Sequence, residues 1–98
     1  MREERRRIKI GKGQYIDVYL IRLQKKNLIL LKGRKGYIMC GYLNLAVAEK
    51  FKDAAIKIIG VASIKEALKT KVHSCTSFAR RLGVYKEQPV REALEIIA

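Results

Sequence analysis

The feature that most constrains this chain is a run of three β-rich segments whose connections are too short for anything but antiparallel pairing. Residues 15–23, YIDVYLIRL, put Tyr15, Asp17, Tyr19, Ile21 and Leu23 on one face of a strand, with Ile16, Val18, Leu20 and Arg22 on the other. Residues 27–32, NLILLK, form a short apolar run bounded by the turn-forming stretches QKKN and GRKG, and residues 37–43, YIMCGYL, continue as a third strand. A parallel crossover needs a dozen or more residues, so a three-stranded antiparallel meander is predicted.

Beyond the meander the chain reads as helical. Asn44 is a suitable N-cap for LAVAEKFKDAAIKIIG, in which Val47, Phe51, Ala54, Ala55 and Ile58 recur at helical spacing. Asp53 and Lys57 make a favourable i,i+4 pair and Gly60 suits the C′ position. This predicts a helix of about four turns laid across one face of the meander. Ser63 with Glu66 forms a capping box for a short helix ending near Lys69. After an extended piece at Lys71 to Ser74, TSFARRLG gives another short helix, capped by Thr76 or Ser77 and stopped by Gly83. A last helix starts with Pro89 at N1 and runs through Val90, Ala93, Leu94 and Ile97. The fold class expected is α+β: the meander under a long helix, followed by short C-terminal helices. No internal repeat is seen.

Charge bears on function. The formal net charge is +13, and residues 1–35 hold 12 basic groups against three acidic ones, so the first third carries +9. Such a field draws phosphate-rich partners and speeds encounter without conferring sequence specificity. Residues 1–14 are read as a basic N-terminal arm, solvated in the plain reading, ahead of a single domain over 15–98. The partner expected is nucleic acid or another anion, met by Arg5, Arg6, Arg7, Lys9, Lys12, Arg34 and Lys35, which the arm and the second turn would gather at one end of the sheet. Self-association into a homo-oligomer is also expected, because 98 residues is a size at which oligomerisation often completes burial. No apolar run approaches the roughly 20 residues of a membrane span, and MREERRRIKI has charge without the apolar core of a secretory signal. A cytoplasmic protein with no membrane partner is expected.

The stretch KGYIMCGYLN, residues 35–44, raises the question of a site. The GRKG turn pairs Lys32 with Tyr37 and sets Cys40 opposite Ile29; the first turn would set Ile29 opposite Arg22, leaving Cys40 and Arg22 on one face. The third strand runs back toward the first turn, which brings Lys25 and Lys26 near Gly41 to Asn44, where the helix after Asn44 presents free N–H groups. Arg22, Lys25, Lys26, Gly41 and Asn44 are therefore the candidate small-anion site, with Cys40 as candidate thiol. The plainer reading is that Asn44 only caps, the lysines are solvated, and Cys40, in phase with Ile38 and Tyr42, is core.

The remaining motifs are weaker. Cys40 and Cys75 form no CxxC and no framework, and a bridge between them stays open. His73 and Cys75 in HSC fall short of the three or four ligands zinc needs, so no metal and no cofactor is expected. GKG at residues 11–13 precedes a strand, whereas phosphate loops precede helices, and is read as a turn. Tyr15, Tyr19, Tyr37 and Tyr42, interleaved with Lys and Arg, resemble a stacking surface for single-stranded nucleic acid, with core or interface packing as the commoner fate. Asp17 has no second carboxylate near it in sequence for acid–base work.

The motif KGYxMCGxL, here Lys35, Gly36, Tyr37, Met39, Cys40, Gly41 and Leu43, resembles that of the YunC-like family of small prokaryotic proteins, a domain-of-unknown-function family. The resemblance continues through GVASIKEALKTKV, FARRLGV and REALEII, from about Tyr15 to the C-terminus. It implies a small α/β domain and draws attention to the segment around Cys40, but carries no activity. Family members commonly have a Gly-Met-x-Gly type of loop before the last helix, where this chain has Tyr85, Lys86, Glu87, Gln88 and Pro89. Any chemistry that rested on that loop is not implied here.

Overall fold

Six short β-strands in sequence order build one sheet in this computed structural model, which describes residues 3–98. The strands are β1 (Glu3–Gly11), β2 (Gln14–Arg22), β3 (Asn27–Lys32), β4 (Tyr37–Met39), β5 (Ala55–Lys57) and β6 (Ser74–Cys75). Four helices accompany them: α1 (Leu45–Lys50), α2 (Ile64–Lys69), α3 (Ser77–Leu82) and α4 (Val90–Ile97). All neighbouring strands pair antiparallel except β4 and β5, which run parallel across the crossover that contains α1. The class is α+β with a mixed sheet.

Strands β2, β3 and β4 form the expected antiparallel run, and Lys32 pairs with Tyr37, but the third strand, expected over residues 37–43, ends at Met39, where the chain turns through residues 40–44. Alternation decides the faces. Ile16, Val18, Leu20, Ile29, Leu31, Ile38, Ile56 and Ile58 all point to one side and are at most 3% exposed, where α2 and α4 add Ile64, Ala67, Val90, Ala93, Leu94 and Ile97. A smaller cluster on the opposite side sets α1 against the β4–β5 half of the sheet through Leu43, Leu45, Ala48, Ala55, Tyr37 and Met39.

Three expectations are corrected. The long helix after Asn44 stops at Lys50: the chain reverses through Lys52 at φ 63, and the Lys52 and Asp53 amides donate to the carbonyls of Glu49 and Ala48. Residues 55–57 become β5, because a strand beside β4 buries both Ile56 and Ile58 in the main core. Val47 and Phe51, which helical spacing assigns to the core side, are 47% and 71% exposed. Gly60, at φ 71, lies in a turn beyond β5 and caps no helix, and Asp53 accepts from the Tyr37 hydroxyl at 2.8 Å instead of pairing with Lys57. The meander is accordingly half of a six-stranded sheet.

Second, the stretch read as an arm is a strand. Residues 3–11 pair with β2 from Glu3↔Ile21 to Gly11↔Gln14, and GKG supplies the turn between them. Third, the first turn is tighter than expected: Arg22 pairs with Asn27 and Ile29 with Leu20. Arg22 thus lies two residues beyond the level of Cys40, and one of its guanidinium nitrogens meets Glu4 at 3.2 Å.

The C-terminal half follows its caps. Ser63 Oγ accepts from the Glu66 amide at 3.1 Å, and Glu66 Oε1 accepts from the Ala62 amide at 2.7 Å. Thr76 is buried and fully used: its Oγ1 accepts from the amides of Ala55 and Ala79 and donates to the Asp53 carbonyl. Glu49 accepts from the Ser77 amide and hydroxyl, tying α1 to the start of α3 and holding the Glu49 carboxyl below its usual range. Gly83 ends α3, and Pro89 sits at the N-cap of α4, one position earlier than the N1 expected.

The Tyr37–Asp53 contact gives a spectroscopic prediction. Burial, and then the bond to Asp53, push the Tyr37 phenol up to about 12 from an ordinary value of 10.0. Its folded pKa is raised, so the stability linked to the neutral phenol is complete below the unfolded value and is lost as pH rises through about 12. Ultraviolet difference titration of the five tyrosines is expected to show one late phenolate step that Tyr37→Phe removes. A wild-type curve with no late step contradicts the contact.

Candidate binding surfaces

The β1–β2 register determines which basic residues act together. Arg5 lies opposite Tyr19, Arg7 opposite Asp17 and Lys9 opposite Tyr15, and Asp17 and Tyr19 lie in turn opposite Lys32 and Leu30 of β3. Directly opposed residues share a face, so Arg5, Arg7, Lys9, Tyr15, Tyr19 and Lys32 occupy the side of the sheet away from α2 and α4. Tyr15 is 46% exposed, and Tyr19, Ile21, Leu28 and Leu30 are half-buried. The Arg5 guanidinium carbon stands 5.4 Å from the centre of the Tyr19 ring, a cation–π distance. Arg7 Nε donates to Asp17 Oδ1 at 3.0 Å, which holds the Asp17 carboxyl below its usual range.

At the β1–β2 turn end, Arg7, Gly13, Tyr15, Asp17, Lys32, Gly33 and Arg34 surround an open depression of about 460 Å³. The structure therefore brings together Arg5, Arg7, Lys9 and Arg34 and adds Lys32, which sequence reasoning had not included. Lys12 is exposed in the β1–β2 turn nearby. One residue separates from the group: Arg6 pairs with Val18 on the other side of the sheet. Lys35 is exposed beside Arg34 in the β3–β4 turn, where its amide donates to the Ile97 carbonyl at 2.8 Å.

The opposite end of β3 carries a second feature. Lys25, Lys26, Asn27, Cys40, Gly41, Tyr42 and residues 59–62 line a cleft of about 510 Å³. Lys25, Lys26 and Gly41 do meet there, and Asn27, Tyr42 and the 59–62 turn are the part sequence reasoning missed. The missing signal is β5, since only a strand beside β4 carries residues 59–62 to this end. Arg22 and Asn44 are not among the lining residues. Asn44 Oδ1 accepts from the Val47 amide at 3.2 Å and caps α1.

Cys40 answers the question raised by KGYIMCGYLN. It is 4% exposed. Its amide donates to the Ile29 carbonyl at 3.2 Å, as a strand residue's should, but its carbonyl accepts from the Leu43 amide in the next turn. The Ile29 amide, left without that carbonyl, donates to Cys40 Sγ at 3.3 Å, and Sγ lies 3.7 Å from the Asn27 carbonyl oxygen. The thiol thus completes the β3 ladder where the backbone of β4 turns away, and serves as a hydrogen-bonding core group. Both cysteines are free. Cys75 is half-buried, which pushes its thiol above the ordinary range.

The family model described as "Domain of unknown function (DUF1805)" matches residues 39–97, from Met39 at the end of β4 through the last residue of α4. The chain belongs to this family. It is also similar to the uncharacterized protein YunC of Bacillus subtilis (strain 168). The two are 35% identical over an alignment of 86 residues, and the match covers 84% of this chain and 85% of YunC, so the YunC-like resemblance holds. A crystal structure of TA1206, a protein of unknown function from Thermoplasma acidophilum, superposes with a TM-score of 0.94 at 29% identity, over 99% of this chain and 94% of that one. That superposition takes in the β1–β3 half as well, ahead of the residues that the DUF1805 model matches.

Proposed function

We propose that this DUF1805 protein is a non-enzymatic cytoplasmic binding module whose basic β1–β3 face takes single-stranded nucleic acid. The observation that carries the reading is the β1–β2 register, which aligns Arg5, Arg7 and Lys9 with Tyr15 and Tyr19 on one sheet face. Aromatic rings give bases a flat partner, and the flanking cations follow the phosphates. Lys32 and Arg34 extend the track at the turn end of the sheet.

Fluorescence anisotropy of a labelled oligothymidylate across a salt series tests this. Affinity should fall steeply with salt, and replacing Lys9 and Lys32 together with Ala should make the log–log slope shallower by about 1.4, at roughly 0.7 per lost phosphate contact on a single strand. Tyr15→Ala should weaken binding by about 1–3 kcal/mol with little change in that slope. No detectable binding at low salt ends the reading.

A second reading, a structural subunit of a homo-oligomer, is favoured by the apolar residues Ile21, Leu28 and Leu30 on the same face. The charge of +13 works against bringing two copies of a basic face together. Sedimentation at two protein concentrations, with and without oligonucleotide, separates the two.

A further inference from the structure

We propose that the cleft at the Cys40 end of the sheet is a non-covalent binding site for a small organic anion, one with an acidic head and an apolar or aromatic body. It lies at the opposite end of β3 from Lys32 and Arg34 and does not depend on the nucleic-acid reading. Four observations carry it.

The volume, about 510 Å³, falls within the range of small-molecule pockets, roughly 300–1,000 Å³. The lining divides by chemistry. Lys25 and Lys26 stand on the β2–β3 loop, and among the described residues neither is paired with a carboxylate. Facing them are Tyr42 and Ile59, which leave 48% and 49% of their surfaces exposed, with Val61 beside them. A phosphate or carboxylate meets the ammonium groups while a ring or short alkyl group covers Tyr42 and Ile59.

Gly41 is the third observation. Its φ lies outside the left-handed region, and a Cβ built on it would meet no atom within 4 Å, so neither backbone strain nor packing requires glycine there. Gly41 is among the residues that line the cleft, and a side chain there would have open space to enter. Finally, the polar groups around the cleft are already engaged within the protein. Asn27 Nδ2 donates to the Ala62 carbonyl at 2.9 Å, Glu66 accepts from the Ala62 amide, and Cys40 Sγ is bonded to Ile29 and lies against the Asn27 carbonyl. The lysines supply the recognition, and the buried thiol forms part of the wall with no bond made to it.

The test is amide chemical-shift titration of the full chain with phenyl phosphate, with inorganic phosphate and benzyl alcohol as the two halves of the probe. Saturable shifts at Gly41, Gly60 and Val61 are expected with phenyl phosphate in the millimolar range or tighter, and at least about tenfold weaker ones with either half. Replacing Lys25 and Lys26 together with Gln should weaken phenyl phosphate about tenfold or more. Gly41→Leu should abolish binding while leaving the melting temperature unchanged, which separates a filled cleft from a damaged fold. The proposal is overturned if phenyl phosphate gives no saturable shift, if inorganic phosphate binds equally well, or if Gly41→Leu binds like wild type.

Discussion

Gly36→Ala is expected to destabilise the protein by about 3 kcal/mol, at the upper end of overpacking costs, lowering the melting temperature by roughly 12–24 °C for a chain of this size. The cause is a close approach of backbones. A Cβ at Gly36 would lie 2.5 Å from the Ala54 carbonyl oxygen and 3.0 Å from the Ala54 Cβ, and neither can swing aside as the tip of a long side chain would. That carbonyl also accepts from the Tyr37 amide at 3.1 Å, so relieving the clash pulls apart the start of the parallel β4–β5 pair. Gly33, at the other end of the same turn, is closer still to the Ile97 carbonyl oxygen, at 2.2 Å from a built Cβ. Gly41→Ala is the internal control, expected within about 0.5 kcal/mol of wild type, since its Cβ meets nothing. Equal melting of the Gly36 and Gly41 variants would mean that the β3–β4 turn does not rest on residue 54.

The second large effect concerns Cys40, where the order of two substitutions matters more than either size. Cys40→Ala leaves the buried Ile29 amide without its acceptor and should cost about 3 kcal/mol, an unsatisfied donor accounting for roughly 1–3 of it and lost packing for the rest. Cys40→Ser keeps an acceptor for Ile29 and a donor toward the Asn27 carbonyl, and should cost less. If the cysteine were only an apolar filler the order would reverse, because burying a hydroxyl is worse than burying a methyl. Guanidinium unfolding gives the order. Hydrogen exchange at Ile29 gives the cause, with protection kept in the Ser variant and lost in the Ala variant. An Ala variant more stable than the Ser variant would refute the ladder role of the thiol.

Strands β2 to β4 were legible because alternation, short turns and β-branched residues agreed, and the three C-terminal helices because each carried a cap or stop that the fold uses: Ser63, Thr76, Gly83 and Pro89. Two strands were not. In β1 the apolar residues Ile8 and Ile10 alternate with charge only near the end, and the earlier positions are all Arg or Glu, which reads as a solvated tail until β2 is known to offer Tyr19 and Asp17 as partners. In β5 the residues AAIKII satisfy helical spacing and strand alternation at once, and the choice is made by a contact remote in sequence, the room beside β4 for Ile56 and Ile58. The sites inherit these limits. Lys25, Lys26 and Gly41 could be placed together from strand direction alone, whereas residues 59–62 could not, because they depend on β5. Tyr15 and Tyr19 read more readily as packed than as a stacking surface, and the β1 register was needed to show which cations stand beside them.

The strand order β1 to β6, identical to the order of the chain, bears on how the molecule is made. Each strand's template is the one synthesised just before it, so the sheet can lengthen as the chain leaves the ribosome, and most closures span only a tight turn. The exceptions are the step from β5 to β6, which spans residues 58–73 and contains α2, and the step from β4 to β5, where α1 must form and fold over before a parallel partner exists. Until then β4 has a bare edge, and the growing sheet has acquired neither α2 nor α4 to cover Ile16, Val18, Leu20, Ile29, Leu31 and Ile38. A nascent chain halted near residue 50 would display both a strand edge and a greasy surface, the moment at which a chaperone has most to protect.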